Sequence, residues 1–368
     1  MGFALLLAAC SSGGGGSAAP GTTEPPGHGI KLNQMQVIGT HNSYHVEQPA
    51  ATLAAYAAFE SDANTLAYTH EPLDQQFGNQ GVRQIELDVH ADPTGGLFRP
   101  LGTPGFKVFH IEQIDEDSTC QTFTQCLDTV KGWTDTHPDA IPIMIHVEIK
   151  TGAEMPGPPD SPNMTPALYD ALDAEVRAVF PPDHLITPDD VRGTYPTLEA
   201  AVLAGSWPLL DDVRGRVMFT LDNNRDGYLA GHDSLTGRVA FTPSTPGQPD
   251  AAYLQENDPT GANEARIQSE VRAGYMIRTR SDDPVITAQS GDVTERDDAL
   301  ASGAHWISTD YPVPGMAARW GSTYVAMIPG GTPARCNPIN APAGCQSSWL
   351  ESSPVPGLSD GGTTGTTG

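Results

Sequence analysis

Two segments in the first half of the chain alternate between apolar and polar positions. Within Val82–His90, Ile85, Leu87 and Val89 oppose Gln84, Glu86, Asp88 and His90. Within Ile141–Ile149 and the next residue, Ile143, Ile145, Val147 and Ile149 oppose Met144, His146, Glu148 and Lys150. Successive strand side chains point to opposite faces, so each segment reads as a strand with one apolar and one ionisable face. Further β-rich runs lie at Met35–Thr40, Phe106–Ile111, Arg216–Leu221, Gly274–Arg280 and His305–Asp310, with His184–Thr187 a weaker candidate. Helical patterns separate them at Pro72–Asn79, Cys120–His137, Thr165–Phe180, Asn263–Ala273 and Glu295–Gly303. Strand–helix alternation predicts a parallel sheet. Seven or eight such units in about 320 residues predict an α/β fold of the TIM type, a closed and somewhat irregular (β/α) barrel, over an open doubly wound sheet.

A barrel strand is expected to be apolar outside, where helices pack, and to tolerate polar groups inside near its carboxyl end. Ionisable groups on an inner face are costly unless paired, metal-bound or wet. Collected in chain order, the polar strand ends are His41 and Asn42, then Glu86 and Asp88, then His110, then Glu148 and Lys150. If these strands are neighbours, one amide oxygen and three carboxylates converge with two imidazoles. Such an oxygen set suits a hard cation such as Ca²⁺. His41 and His110 beside it suit proton transfer near neutral pH. Singly, each of these residues reads as an edge charge or a structural histidine; jointly, at successive strand ends, they read as a site.

The rest of the composition narrows the setting. Nineteen Lys and Arg against 45 Asp and Glu give a net charge of −26. That argues against nucleic acid as a partner, since phosphate binding needs clustered basic residues. No run of 18 apolar residues occurs, so no membrane-spanning helix is expected. No Gly-rich phosphate loop follows the first strand, and Gly39-Thr40-His41-Asn42 is not one. Residues 1–10 end in Leu7-Ala8-Ala9-Cys10, which resembles a bacterial lipobox without a basic segment before it. Cys10 is then the lipidation site, residues 11–30 a flexible Gly/Ser/Pro/Thr linker, and 31–350 a single folded domain. The Gly/Thr-rich stretch 351–368 is expected to be a disordered tail. This organisation implies an exported protein, lipid-anchored on the periplasmic or outer surface of a bacterium or secreted. Four further cysteines fall in two close pairs, Cys120/Cys126 and Cys336/Cys345. Neither pair has C-x-x-C spacing, so loop-stapling disulfides are expected over a metal cluster.

His41-Asn42-Ser43-Tyr44, Glu86-Leu87-Asp88, Phe109-His110 and Val147-Glu148-Ile149-Lys150 together resemble the Ca²⁺-dependent phosphatidylinositol-specific phospholipase C family, in its bacterial secreted branch. His70-Glu71-Pro72-Leu73-Asp74-Gln75-Gln76, Ile277-Arg278-Thr279-Arg280 and Ser308-Thr309-Asp310-Tyr311 support the likeness, which covers roughly residues 34–312. The resemblance implies a TIM-barrel phosphodiesterase, and a monomer is expected. The inositol 2-hydroxyl would attack the phosphodiester, giving a cyclic inositol phosphate and diacylglycerol. It implies Ca²⁺ on Asn42, Glu86, Asp88 and Glu148, with His110 as general acid and His41 donating a hydrogen bond to the phosphorane. The base stays open among Glu86, Glu148 and His41. Lys150 is the candidate for the headgroup phosphate, with Arg278 and Arg280 behind it; alternation puts both arginines on one face. His45, His90, His146, Asp115, Asp222 and Asp310 are candidates for supporting contacts. The enzyme rival is a glycerophosphodiester phosphodiesterase, which usually opens its motif with His-Arg-Gly where this chain has His41-Asn42-Ser43. The rival of another class is a catalytically inert, lipid-binding surface lipoprotein.

Overall fold

The computed structural model describes residues 1–2, 28–58, 63–153, 157, 159–351 and 355. Cys10 and most of the linker and tail lie outside the described residues. The strands are β1 (Met35–Thr40), β2 (Gln84–Asp92), β3 (Gly105–Val108), β4 (Ile143–Lys150), β5 (Leu185–Ile186), β6 (Val217–Leu221), β7 (Ala240–Phe241), β8 (Tyr253–Gln255), β9 (Met276–Arg280), β10 (Trp306–Thr309) and β11 (Ala334–Cys336).

Parallel pairing runs from β6 through β4, β2, β1, β10 and β9 to β8. On its other side β6 pairs with β5 at Val217–Met218 and with β7 at Phe219–Thr220. Beyond β7, a parallel bridge from Pro243 to Tyr253 brings the path round to β8. The result is an irregular α/β barrel of the TIM type. β1 meets β2 at the Gly39–Gln84 position, and β11 covers the Met35–Val37 part of β1 in antiparallel register. The seam is therefore filled by an added strand where the staves diverge.

The apolar faces behave as the alternation requires. Ile85, Leu87, Val89, Ile143, Ile145, Val147 and Ile149 are all buried in the main hydrophobic core. Burying such a side chain fully is worth about 1.5–3 kcal/mol. Among the covering helices, Phe123–Thr136 buries Phe123, Cys126, Leu127, Val130 and Trp133, a stripe at three- and four-residue spacing. Thr122 caps it by accepting from the Gln125 amide. Thr165 likewise caps Pro166–Val179, where Pro sits in the first turn and loses no hydrogen bond. Disulfides join Cys120 to Cys126 and Cys336 to Cys345. Among the described residues no helix is long and apolar enough to cross a membrane.

One expectation is corrected. The run Phe106–Ile111 is not a parallel barrel stave: β3 pairs antiparallel with β2, Val108 opposite Val89 and Gly105 opposite Asp92. The connection 93–104 contains no helix. A parallel return usually needs a helical crossover, and without one this Gly/Pro-rich loop turns the chain back as a hairpin. His110 thus reaches the barrel from a hairpin-borne loop.

Gly39 is fixed by its neighbour. A Cβ there would lie 1.8 Å from Gln84 Oε1 and 2.7 Å from Gln84 Cβ, on the strand that carries Glu86 and Asp88. Gly39→Ala is therefore expected to cost about 1–3 kcal/mol in urea unfolding, the range for overpacking. Gly132→Ala, in a helix with open space around the new methyl, should instead gain about 0.4–1 kcal/mol. Equal midpoints for the two variants would contradict this reading of the β1–β2 contact.

Candidate active site

The site is assembled at the carboxyl ends of the parallel strands. After β1 the chain turns through Asn42 at φ 43°, a left-handed conformation that asparagine tolerates. The turn is tied to β2: the Ser43 amide donates to the Glu86 carbonyl at 2.9 Å, and the Glu86 amide donates to Ser43 Oγ at 2.8 Å. The Gln76 side-chain Nε2 donates to the Ser43 carbonyl at 2.6 Å. His41 and Asn42 are thereby held in a fixed relation to Glu86.

β2 and β4 run in register with Asp88 beside Glu148 and His90 beside Lys150. Carboxylate oxygens of Glu86, Asp88 and Glu148 lie within 4.8 Å of one another. Glu86 and Asp88 are buried, and Glu148 is partly exposed. Arg278, fully buried on β9, donates from Nη2 to Glu86 Oε2 at 2.5 Å and to Ser308 Oγ at 3.1 Å, and from Nη1 to Asn257 at 2.6 Å. Burial acts to raise the Glu86 pKa, but the charges of Arg278 and His41 outweigh it and the net shift is downward. Asp88 moves the other way: burial pushes it well above the carboxylate range, with Glu148 and Glu86 adding and Lys150 opposing. Neither Asp88 oxygen accepts a hydrogen bond of good geometry. The Lys150 ammonium stands 3.1 Å from Asp88 and 3.0 Å from Glu148 as an ion-pair partner. Asn42 Oδ1 has the Tyr44 hydroxyl 3.5 Å away, and the charges of Asp88 and Glu148, behind burial itself, help raise the Tyr44 pKa. Three carboxylates with open lone pairs and a nearby amide oxygen form a donor set that fits a hard divalent cation.

Two imidazoles each rest on a buried aspartate. His41 donates from Nδ1 to Asp310, 3.3 Å away, and turns Nε2 toward Glu86 Oε1 at 3.9 Å. Burial lowers the His41 pKa, against the opposing pull of Asp310. Asp310 also receives Nε2 of His70 at 3.2 Å. His110 donates from Nδ1 to Asp115 Oδ2 at 2.9 Å, and His45 Nε2 meets the same oxygen at 2.8 Å. Burial would raise Asp115, but its hydrogen bonds from His110 and His45 take it down to about 2. The His41 and His110 side chains keep 15% and 20% exposure, so neither ring is sealed from solvent.

Arg280 shares the inward face of β9 with Arg278 but sits two residues nearer the mouth, and its Nε carries no hydrogen bond. Arg278 lies below, committed to Glu86. His146 donates toward Asp222 at 3.1 Å, and Asp222 also receives Gln255 at 2.5 Å. His90 is internal, stacked on Phe109 with ring centres 3.7 Å apart and bonded to Ser161. His70 was not singled out from the sequence as a partner of Asp310. Its contact spans 240 positions, and no local pattern signals such a contact.

Three closely placed carboxylates, together with two aspartate-backed imidazoles, form an arrangement that fits a metal-dependent enzyme. The model of the Ca²⁺-dependent phosphoinositide phospholipase C family matches residues 30–102 and 99–338. The chain belongs to that family: it is an enzyme of the phosphoric diester class whose cofactor is Ca²⁺. Among solved structures it is similar to the calcium-dependent phosphoinositol-specific phospholipase C of a Pseudomonas species, with 18% identity and a TM-score of 0.54 over 85% of this chain and 97% of that one. It is also similar to the Ca²⁺-dependent phosphatidylinositol-specific phospholipase C of Streptomyces antibioticus, at 20% identity and a TM-score of 0.50 over 77% and 95%. No curated protein matches the chain.

The pairing of Arg278 with Glu86 is open to test. Arg278→Met leaves a buried carboxylate without its counter-charge and should cost about 3–5 kcal/mol. Adding Glu86→Gln should recover part of that loss in a double-mutant cycle. An unchanged urea midpoint for Arg278→Met would show that Glu86 is held by something else.

Proposed function

We propose that this chain cleaves the phosphodiester of inositol phospholipids, with the inositol 2-hydroxyl as nucleophile, releasing diacylglycerol and a cyclic inositol phosphate. The carrying observation is the mutual approach of Glu86, Asp88 and Glu148, with His41 turned toward Glu86 and with His41 and His110 each fixed by an aspartate. Family membership supports the substrate class, and one structural relative is described in complex with myo-inositol.

Asn42, Glu86, Asp88 and Glu148 are the residues assigned to hold Ca²⁺. When bound there, the ion supplies positive charge that acidifies a nearby hydroxyl and offsets charge on phosphoryl oxygens. His41 donates its Nδ1 hydrogen to Asp310, so Nε2 is the atom left to interact at the reacting centre. We assign it the 2-hydroxyl proton, leaving Glu86 to its ion pair with Arg278. His110, oriented through Nδ1 by Asp115, presents Nε2–H and gives its proton to the leaving diacylglycerol oxygen. Arg280 and Lys150 are assigned to the phosphate. Arg278 acts as a positioning residue for Glu86. The glycerophosphodiesterase alternative receives no support from the family match.

The catalytic domain is assigned to residues 31–350, acting as a monomer. Both disulfides suit an oxidising compartment and hence export. We further propose that Cys10 carries a lipid and that residues 11–30 tether the barrel near its substrate membrane.

His41→Ala and His110→Ala should each lower the rate at least about 10²-fold without unfolding the protein. EGTA should abolish turnover and Ca²⁺ restore it. Phosphorus NMR on a panel of phosphodiesters should show the cyclic product from phosphatidylinositol. Full activity in EGTA, or preference for glycerophosphocholine over phosphatidylinositol, would overturn the assignment.

A further inference from the structure

Asp115 and its two histidines present a donor set unlike the oxygen cage. His45 is fully buried, and its Nδ1 lies 3.0 Å from the Tyr68 carbonyl oxygen. A carbonyl has no hydrogen to give, so Nδ1 carries the proton and Nε2 is the basic atom of the neutral ring. That Nε2 faces Asp115 Oδ2 at 2.8 Å and Oδ1 at 3.0 Å. Two lone-pair atoms at such a distance need a cation between them, either a proton or a metal ion. His110 Nδ1 points at the same carboxylate oxygen from 2.9 Å. Ligand atoms of His45, His110 and Asp115 all lie within 4.8 Å of one another. A ring nitrogen donating to a backbone carbonyl while its partner nitrogen turns inward is the arrangement of metal-bound histidines.

We propose that His45, His110 and Asp115 form a second metal site, selective for ions of the Zn²⁺ class, which disables the proton donor when filled. Two imidazole nitrogens and a carboxylate suit a tetrahedral borderline-soft ion with water in the fourth position. Ca²⁺ prefers the all-oxygen set of Glu86, Asp88 and Glu148. The partial exposure of His110 provides the way in. The bookkeeping of protons is explicit. The ion takes the places of the hydrogen on His110 Nδ1 and of any hydrogen shared between His45 Nε2 and Asp115, and these leave to solvent. His110 is then held as a neutral ring with its remaining hydrogen on Nε2. A neutral imidazole N–H is too weak an acid to protonate a leaving oxygen. The inhibitory part rests on the role given to His110 above; the binding part does not.

The test uses the full chain saturated with Ca²⁺ and titrated with Co²⁺, a spectroscopic probe of tetrahedral sites, and with Zn²⁺. One equivalent of Co²⁺ should develop the intense visible bands of tetrahedral coordination, and Zn²⁺ should displace it. His45→Gln should weaken Co²⁺ binding at least about tenfold, as should Asp115→Asn. His110→Ala, at the least buried of the three positions, keeps the question decidable if a buried variant fails to fold. Zn²⁺ should inhibit turnover in a way that added Ca²⁺ does not relieve and a zinc chelator reverses. The absence of tetrahedral bands in the wild type overturns the site, as does their persistence in a folded His110→Ala variant. Relief of inhibition by Ca²⁺ places Zn²⁺ in the oxygen cage and also overturns it. Lack of basal phosphodiesterase activity would refute the function while leaving the Co²⁺ result readable.

Discussion

The ion pair between Arg278 and Glu86 crosses the barrel interior, and the mouth above it depends on that contact. Glu86 and Asp88 are buried on one face of β2. Charges in such a place are tolerated only when compensated. Arg278 answers Glu86 from β9, on the other side of the barrel, and Lys150 answers Asp88 and Glu148 from β4. The two cations sit on different sides of the acids. Glu86 is kept ionised from below, whereas Asp88 is left with oxygens that accept no good hydrogen bond. A divalent ion at this position would relieve the same imbalance that Lys150 relieves in part.

Around the acids the structure repeats one device. His41 rests on Asp310, which also holds His70; His110 rests on Asp115, which also holds His45. The segment Tyr68–His70 serves both sides. Tyr68 stacks on His45 with centres 4.4 Å apart and meets His70 edge-on at 5.4 Å. A short stretch outside the barrel staves thus orients His45 and supplies His70, the second partners of the two aspartates.

How much of this was legible varies with the physics. The inner faces of β2 and β4 were readable because period-2 alternation writes itself on every second residue over eight or nine positions. β7 and β8, of two and three residues, are too short to show any period. The direction of β3 was not readable, since alternation looks the same whichever way a strand runs. The shared face of Arg278 and Arg280 followed from their spacing. Their different tasks did not, because two residues along a strand amount to about 6.6 Å of depth, and depth alone decides which guanidinium meets Glu86 and which stands at the mouth. The aspartates behind the histidines were visible as nearby acids, but their partners are set by chain segments far apart in sequence.

His110 is carried by the loop that follows β3, whereas Glu86, Asp88 and Glu148 belong to staves of the barrel. Staves open only when the whole domain does; a surface loop opens on its own at lower free energy. On the roles proposed above, mild heat or dilute denaturant would displace the proton donor before the acids lose their grip on the ion. A preparation aged in this way would hold its calcium and turn nothing over, so on that proposal metal content and competence are separate properties.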